Sequence, residues 1–126
     1  MSILGSFCGQ LLAFFEDMSE TYPEEKDIAM AAAALKLLKQ ANPRLIHTVF
    51  MNAVDKELIE HVMIEDEEYV IQKAKEILNS KYSEIAYAFW IFDKHWGTMT
   101  ETNKRHVWDY FKTIILLAQK VKAADY

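Results

Sequence analysis

The chain contains very little glycine, proline or cysteine: three, two and one in 126 residues. A β-rich protein of this length needs many tight turns built on glycine and proline, so long helices with few breaks are favoured. The single cysteine, Cys8, excludes an internal disulfide and a cysteine-rich zinc site. Its apolar neighbours are typical of a buried side chain, and its reduced state fits a reducing compartment.

Signals for export or membrane attachment are also missing from the sequence. The longest uncharged run, from Met1 to Phe15, is too short to span a bilayer. It carries no basic leader or small-residue cleavage site, and position 2 is Ser2 where myristoylation needs glycine. We therefore expect an intracellular protein with no membrane span.

Basic residues are scarce over the first 80 positions. That part holds 7 Lys/Arg against 14 Asp/Glu, whereas residues 81–126 hold 7 against 5, which gives the net charge of −5. Dedicated nucleic-acid binders concentrate positive charge on one face. The distribution argues against that class and leaves only a small basic face near the C-terminus.

Apolar residues make up 52% of the chain and aromatic residues 13%, which is ample for a core. They recur at helical spacing, so we predict an all-α fold, with residues 1–126 forming a single compact domain of five to seven helices in an irregular or orthogonal bundle. The predicted helices are Ser2–Thr21, Glu24–Gln40, one from Pro43, Asp66–Asn79, Tyr82–His95 and one running to Ala123.

Local signals mark several helix ends. Asn42 is a predicted cap before Pro43, Thr100 or Thr98 a predicted cap for the last helix, and Pro23 a predicted first-turn residue of the second helix. The alanine-rich run Ala29–Leu35 predicts a tightly packed central helix. Two alternatives remain at Asp55: the third helix continues to Ile64, or a new helix starts there.

Two surfaces are candidates for protein contacts. The first is an apolar stripe near the N-terminus, although such a stripe commonly packs internally, here on the second and fifth helices. The second is the acidic segment from Glu57 to Glu68. The candidate residues are Ile3, Phe7, Leu11, Phe14, Glu57, Glu60 and Glu65. Because no catalytic motif is present, we predict a non-enzymatic interaction module, acting as a homo-oligomer or with a protein partner.

Two alternatives start from other residue groups. The last helix carries basic residues next to Trp108, which fits phosphate contact in a nucleic-acid-associated protein. Those basic residues are Lys104, Arg105, Lys112, Lys120 and Lys122. The other alternative is a metal site around His61, because Glu57, His61 and Glu65 share a face if the third helix is continuous. Such spacing more often reflects intrahelical pairing, so no metal and no cofactor is predicted.

Two stretches of the chain resemble a family of small helical proteins encoded by large nucleocytoplasmic DNA viruses of algae and protists. The matching positions are Phe14–Asp17, Tyr22–Asp27, Asn42–Arg44, Trp96, Thr98, Glu101, Asn103–Lys104, Val107–Trp108, Tyr110–Phe111 and Leu116–Leu117. The resemblance covers most of the chain and consists of capping and core positions. It implies a viral structural or accessory factor in the infected-cell cytoplasm or the virion, and it carries no catalytic residue across.

Overall fold

A computed structural model describes residues 2–79 and 83–125, and within these ranges the chain is helical and contains no strand. The described residues form seven α-helices: α1 (Ile3–Thr21), α2 (Lys26–Ala41), α3 (Pro43–Ala53), α4 (Lys56–Met63), α5 (Glu67–Leu78), α6 (Trp90–Lys94) and α7 (Glu101–Asp125). Short 3₁₀ helices cover Ser83–Phe89 and Trp96–Thr98. The all-α fold is therefore confirmed. Ser80 and Tyr82, the predicted boundaries between the fourth and fifth helices, lie outside the described residues.

Hydrogen bonds from backbone amides confirm the two predicted caps and decide between the alternatives at Asp55. The side chain of Asn42 accepts one from Leu45 N at 3.3 Å, with Pro43 opening α3. Asp55 Oδ1 accepts one from Leu58 N at 2.8 Å, so the chain breaks there and the third predicted helix is two helices. The hydroxyl oxygen of Thr100 accepts a hydrogen bond from Asn103 N at 3.1 Å. Thr100, rather than Thr98, is therefore the cap of the last helix.

The predicted start of the second helix is wrong by two residues. Glu25 N donates to Tyr22 O at 2.9 Å, which closes a turn with Pro23 in its second position, and α2 begins only at Lys26. The Glu25 side chain makes no cap hydrogen bond. Its carboxylate instead accepts a hydrogen bond from Lys94 Nζ at 2.6 Å. Glu25 therefore contacts α6 and does not cap α2.

The core is built between α1 and α7, which pack along each other, with α2 and α3 also lying against α1. Phe14 meets Tyr110 and Phe111 edge-on, with ring centroids 5.4 and 5.2 Å apart. Nearer the N-terminus, Phe7 meets Phe50 of α3 in the same way at 5.2 Å. These edge-to-face contacts stabilise the core beyond simple area burial.

The described part of the fifth predicted helix is largely buried but is mostly not an α-helix. Residues 86 and 88–92 are buried, while Ser83–Phe89 winds as a 3₁₀ helix before the single turn and a half of α6. Because this segment has buried side chains on all sides, its packing, rather than its helix propensity, determines that it forms a 3₁₀ helix. Phe92 anchors the segment against Trp96, Trp108 and Phe111, at centroid distances between 4.7 and 5.4 Å.

The alanine-rich helix α2 is not the tightly packed central helix that its sequence predicts. Ala31, Ala32 and Leu35 are buried, whereas Met30 and Leu37 are 69% and 70% exposed. The elements α1, α3 and the 3₁₀ helix Ser83–Phe89 pack on α2 and cover one side of it. Its other side carries the two exposed apolar side chains beside polar ones such as Lys36. Separately, the described helices include none with both the length and the apolar character needed to cross a bilayer.

Removing the Asp55 cap is expected to weaken the α3–α4 junction. Asp55→Ala deletes the bond to Leu58 N and the ion pair with Lys73, 3.2 Å away, so the free energy of unfolding should fall by about 1 kcal/mol. Urea denaturation measures the change. Asp27→Ala, which removes an exposed first-turn carboxylate of α2, is the matched control. Equal losses in the two variants would contradict the capping role.

Candidate functional site

The apolar N-terminal stripe faces the core rather than the solvent. Phe7, Leu11 and Phe14 are at most 1% exposed, and only Ile3, at 42%, reaches the surface. The helix that carries the stripe packs on α2, as expected, and its rings also contact rings of α3 and α7. The stripe is therefore not the exposed docking surface that its pattern suggested.

The acidic segment forms a tight junction between α4 and α5. Asp66 N donates to His61 O at 2.9 Å and Glu65 N donates to Val62 O at 3.0 Å, the hydrogen-bond pattern of a Schellman motif. Glu65 has φ 57°, in the left-handed region where glycine is usual. A side chain there costs about 1–2 kcal/mol, so this glutamate needs stabilising contacts.

Those contacts come from α7. The Glu65 carboxylate accepts hydrogen bonds from both terminal nitrogens of the Arg105 guanidinium, with Nη1 at 3.0 Å, and from Lys112 Nζ at 2.5 Å. Hydrogen bonds from these two cations lower the pKa of Glu65 from 4.5 to about 2. The first helical residue of α5 is held similarly. Glu67 Oε1 accepts from Trp96 Nε1 at 2.7 Å and lies 3.6 Å from Lys104 Nζ.

The three residues of the candidate metal site are directed to different partners. Because α4 ends at Met63, Glu65 does not share its helix with Glu57 and His61. His61 Nδ1 donates to Asp66 at 3.0 Å, while Glu57 accepts from the Tyr69 hydroxyl at 3.3 Å. No cluster of three metal-binding side chains forms among the residues that the structure describes. Glu57 and Glu60 remain exposed on α4.

The basic residues of α7 divide into two groups. Ion pairs with the α4–α5 junction engage Lys104, Arg105 and Lys112, and Arg105 also lies 3.3 Å from Asp109 on its own helix. Lys120 is exposed and forms no ion pair within the described ranges. The face proposed for phosphate contact is thus largely compensated by the chain's own acids, which weakens the nucleic-acid alternative.

The cysteine and two further histidines of the described chain are shielded or engaged. Burial raises the pKa of the Cys8 thiol to about 11, so it is protonated at neutral pH. His47 is buried, and its Nε2 donates to the carbonyl of Ala118 at 2.8 Å. His95 Nε2 donates to Glu25 at 3.2 Å. Both contacts join residues 70 or more positions apart, and no local sequence signal marks them.

A groove beside the end of α7 is a feature that the sequence did not indicate. It has a volume of about 670 Å³ and lies where the α3–α4 break leaves Met51, Val54 and Ile59 facing Gln119 and Lys122. Part of its lining is apolar and, like Met30 and Leu37 of α2, is not covered by the described fold. Comparison with known proteins finds no matching family model, curated protein or solved structure.

The Glu65 contacts predict a specific pH dependence. A carboxylate whose pKa is lower in the folded state stabilises the fold above its unfolded pKa, and this contribution is lost as the pH falls. Wild type should therefore be more stable than Glu65→Gln above about pH 4.5, and the difference should shrink as the pH falls towards about 2. Chemical denaturation across this range measures it.

Glu60→Gln is the matched control, since Glu60 is an exposed glutamate on α4. Its effect on the free energy of unfolding should be small. If Glu65→Gln showed the same small effect at every pH, Glu65 would not hold the junction to α7.

Proposed function

We propose that this chain is a non-enzymatic protein-interaction module that self-associates through the outer side of α2. One observation carries the proposal: Met30 and Leu37 are the large apolar side chains of one helix face, and each exposes more than two thirds of its surface. They are seven residues apart, so both point the same way. Exposed apolar surface of this kind commonly marks a contact between proteins.

The α2 face is complementary to a second copy of itself. Ala33, exposed, and Ala34, half-buried, lie between the two large residues, and small side chains allow two helices to approach closely. In an antiparallel pair, a two-fold axis passing between the alanines sets Met30 against Leu37 of the second copy. Such a symmetric contact closes on itself as a dimer and does not extend into a fibre.

The expected dimer is weak and reversible. Burying an apolar side chain of this size contributes about 1.5–3 kcal/mol, so four of them supply roughly 6–12 kcal/mol. Association costs roughly 4–15 kcal/mol, which consumes most of that gain. The dimer should therefore dissociate on dilution.

A non-enzymatic role is supported by the state of the cysteine and of three of the four histidines. The Cys8 thiol is buried, and His47, His61 and His95 are engaged in hydrogen bonds within the fold. A viral structural or accessory role is also part of this proposal. It is supported by the resemblance of the sequence alone.

Charge on the α2 face should abolish self-association. Both Met30→Glu and Leu37→Glu bury a carboxylate in the proposed contact, and glutamate is about as favourable in a helix as the residues it replaces. Light scattering coupled to size-exclusion chromatography over a dilution series should show a concentration-dependent dimer for wild type and a monomer for both variants.

Leu116→Glu is the matched control, because Leu116 is 50% exposed on α7, away from the α2 face. It should dimerise like wild type. A wild-type chain that stays monomeric at every concentration, or a dimer that survives both α2 substitutions, would contradict the proposal.

A further inference from the structure

The groove at the α3–α4 break has an apolar floor. Val54 is almost fully buried, whereas Met51 and Ile59 are half-buried and present part of their side chains to the hollow. A neighbouring hollow of about 240 Å³ shares Met51 and Lys122 with it, so the two hollows are adjacent. Methionine adapts its shape to different partners, which suits a floor that receives apolar side chains.

The rim of this groove is basic. Lys56 stands at the start of α4 and Lys122 near the end of α7, both exposed. Neither lysine forms an ion pair within residues 2–79 and 83–125. The one carboxylate that lines the groove, on Asp55, is compensated by Lys73 at 3.2 Å. Positive charge therefore remains around an apolar floor.

We propose that this groove binds an acidic segment of a partner protein. Apolar side chains of that segment would rest on Met51 and Ile59, and its carboxylates would lie near Lys56 and Lys122. Charge complementarity favours an acidic occupant. The apolar floor favours a polypeptide over a nucleic acid, since a phosphate backbone gains nothing from contact with it. The groove is separate from the α2 face, so this inference goes beyond self-association.

Selection from a library of random displayed peptides tests the assignment directly. Peptides enriched on the wild-type chain should combine acidic residues with two or three spaced apolar residues. Their affinity, measured by fluorescence anisotropy, should weaken with added salt. In the double variant Lys56→Glu/Lys122→Glu, binding of the selected peptide should weaken about tenfold or more, which corresponds to about 1.4 kcal/mol.

Two control substitutions establish whether the peptide binds at the groove. Lys36→Glu reverses an exposed lysine of α2 and should leave peptide affinity unchanged, as should Met30→Glu, which disrupts the proposed dimer face. A peptide whose acidic residues are replaced by lysine should regain affinity for the double variant. Because the reversed lysines are exposed, the fold should persist, which circular dichroism checks.

Three results would overturn the proposal. One is a selection that enriches no peptide, or only basic or uncharged ones. Another is an acidic peptide whose affinity does not change in the double variant. The third is a fluorescent single-stranded oligonucleotide that binds the wild-type chain and loses affinity through the same two reversals, which would assign the groove to nucleic acid.

Discussion

The ionic contact between the α4–α5 junction and α7 constrains how α4 and α5 are placed and which charges stay free on the surface of the chain. Glu65 occupies a backbone conformation that glycine adopts more easily, and its carboxylate is bound by Arg105 and Lys112. A glutamate at this position loses backbone stability and gains a link to a helix 40 or more residues away. The junction thereby fixes the direction in which α5 leaves α4, which itself packs on α7.

This contact also determines which surfaces remain for partners. Glu65 and Glu67 pair with Lys104, Arg105 and Lys112 in the first half of α7, so these charges are compensated within the chain. Uncompensated positive charge lies instead at Lys56 and Lys122, around the apolar groove. Exposed apolar area lies on α2, at Met30 and Leu37. The proposed self-association and the proposed acidic partner use these two separate surfaces.

The sequence predicted those features that depend on neighbouring residues. The all-α class follows from the spacing of apolar residues, and the caps at Asn42 and Thr100 follow from local hydrogen bonding. Periodicity did not reveal which apolar face meets the core, since burial depends on distant helices: Phe14 is buried while Leu37 is exposed. The contacts of Glu65 were also beyond prediction, because they join residues far apart in the chain.

A thermodynamic double-mutant cycle on Glu65 and Lys112 tests the central claim most directly. Glu65→Gln, Lys112→Gln and the double variant would be compared with wild type by urea denaturation near neutral pH. We predict a coupling of about 1 kcal/mol or more, at or above the upper end for exposed pairs. Single effects that add to within about 0.5 kcal/mol would show that the two residues act independently, and would contradict the account.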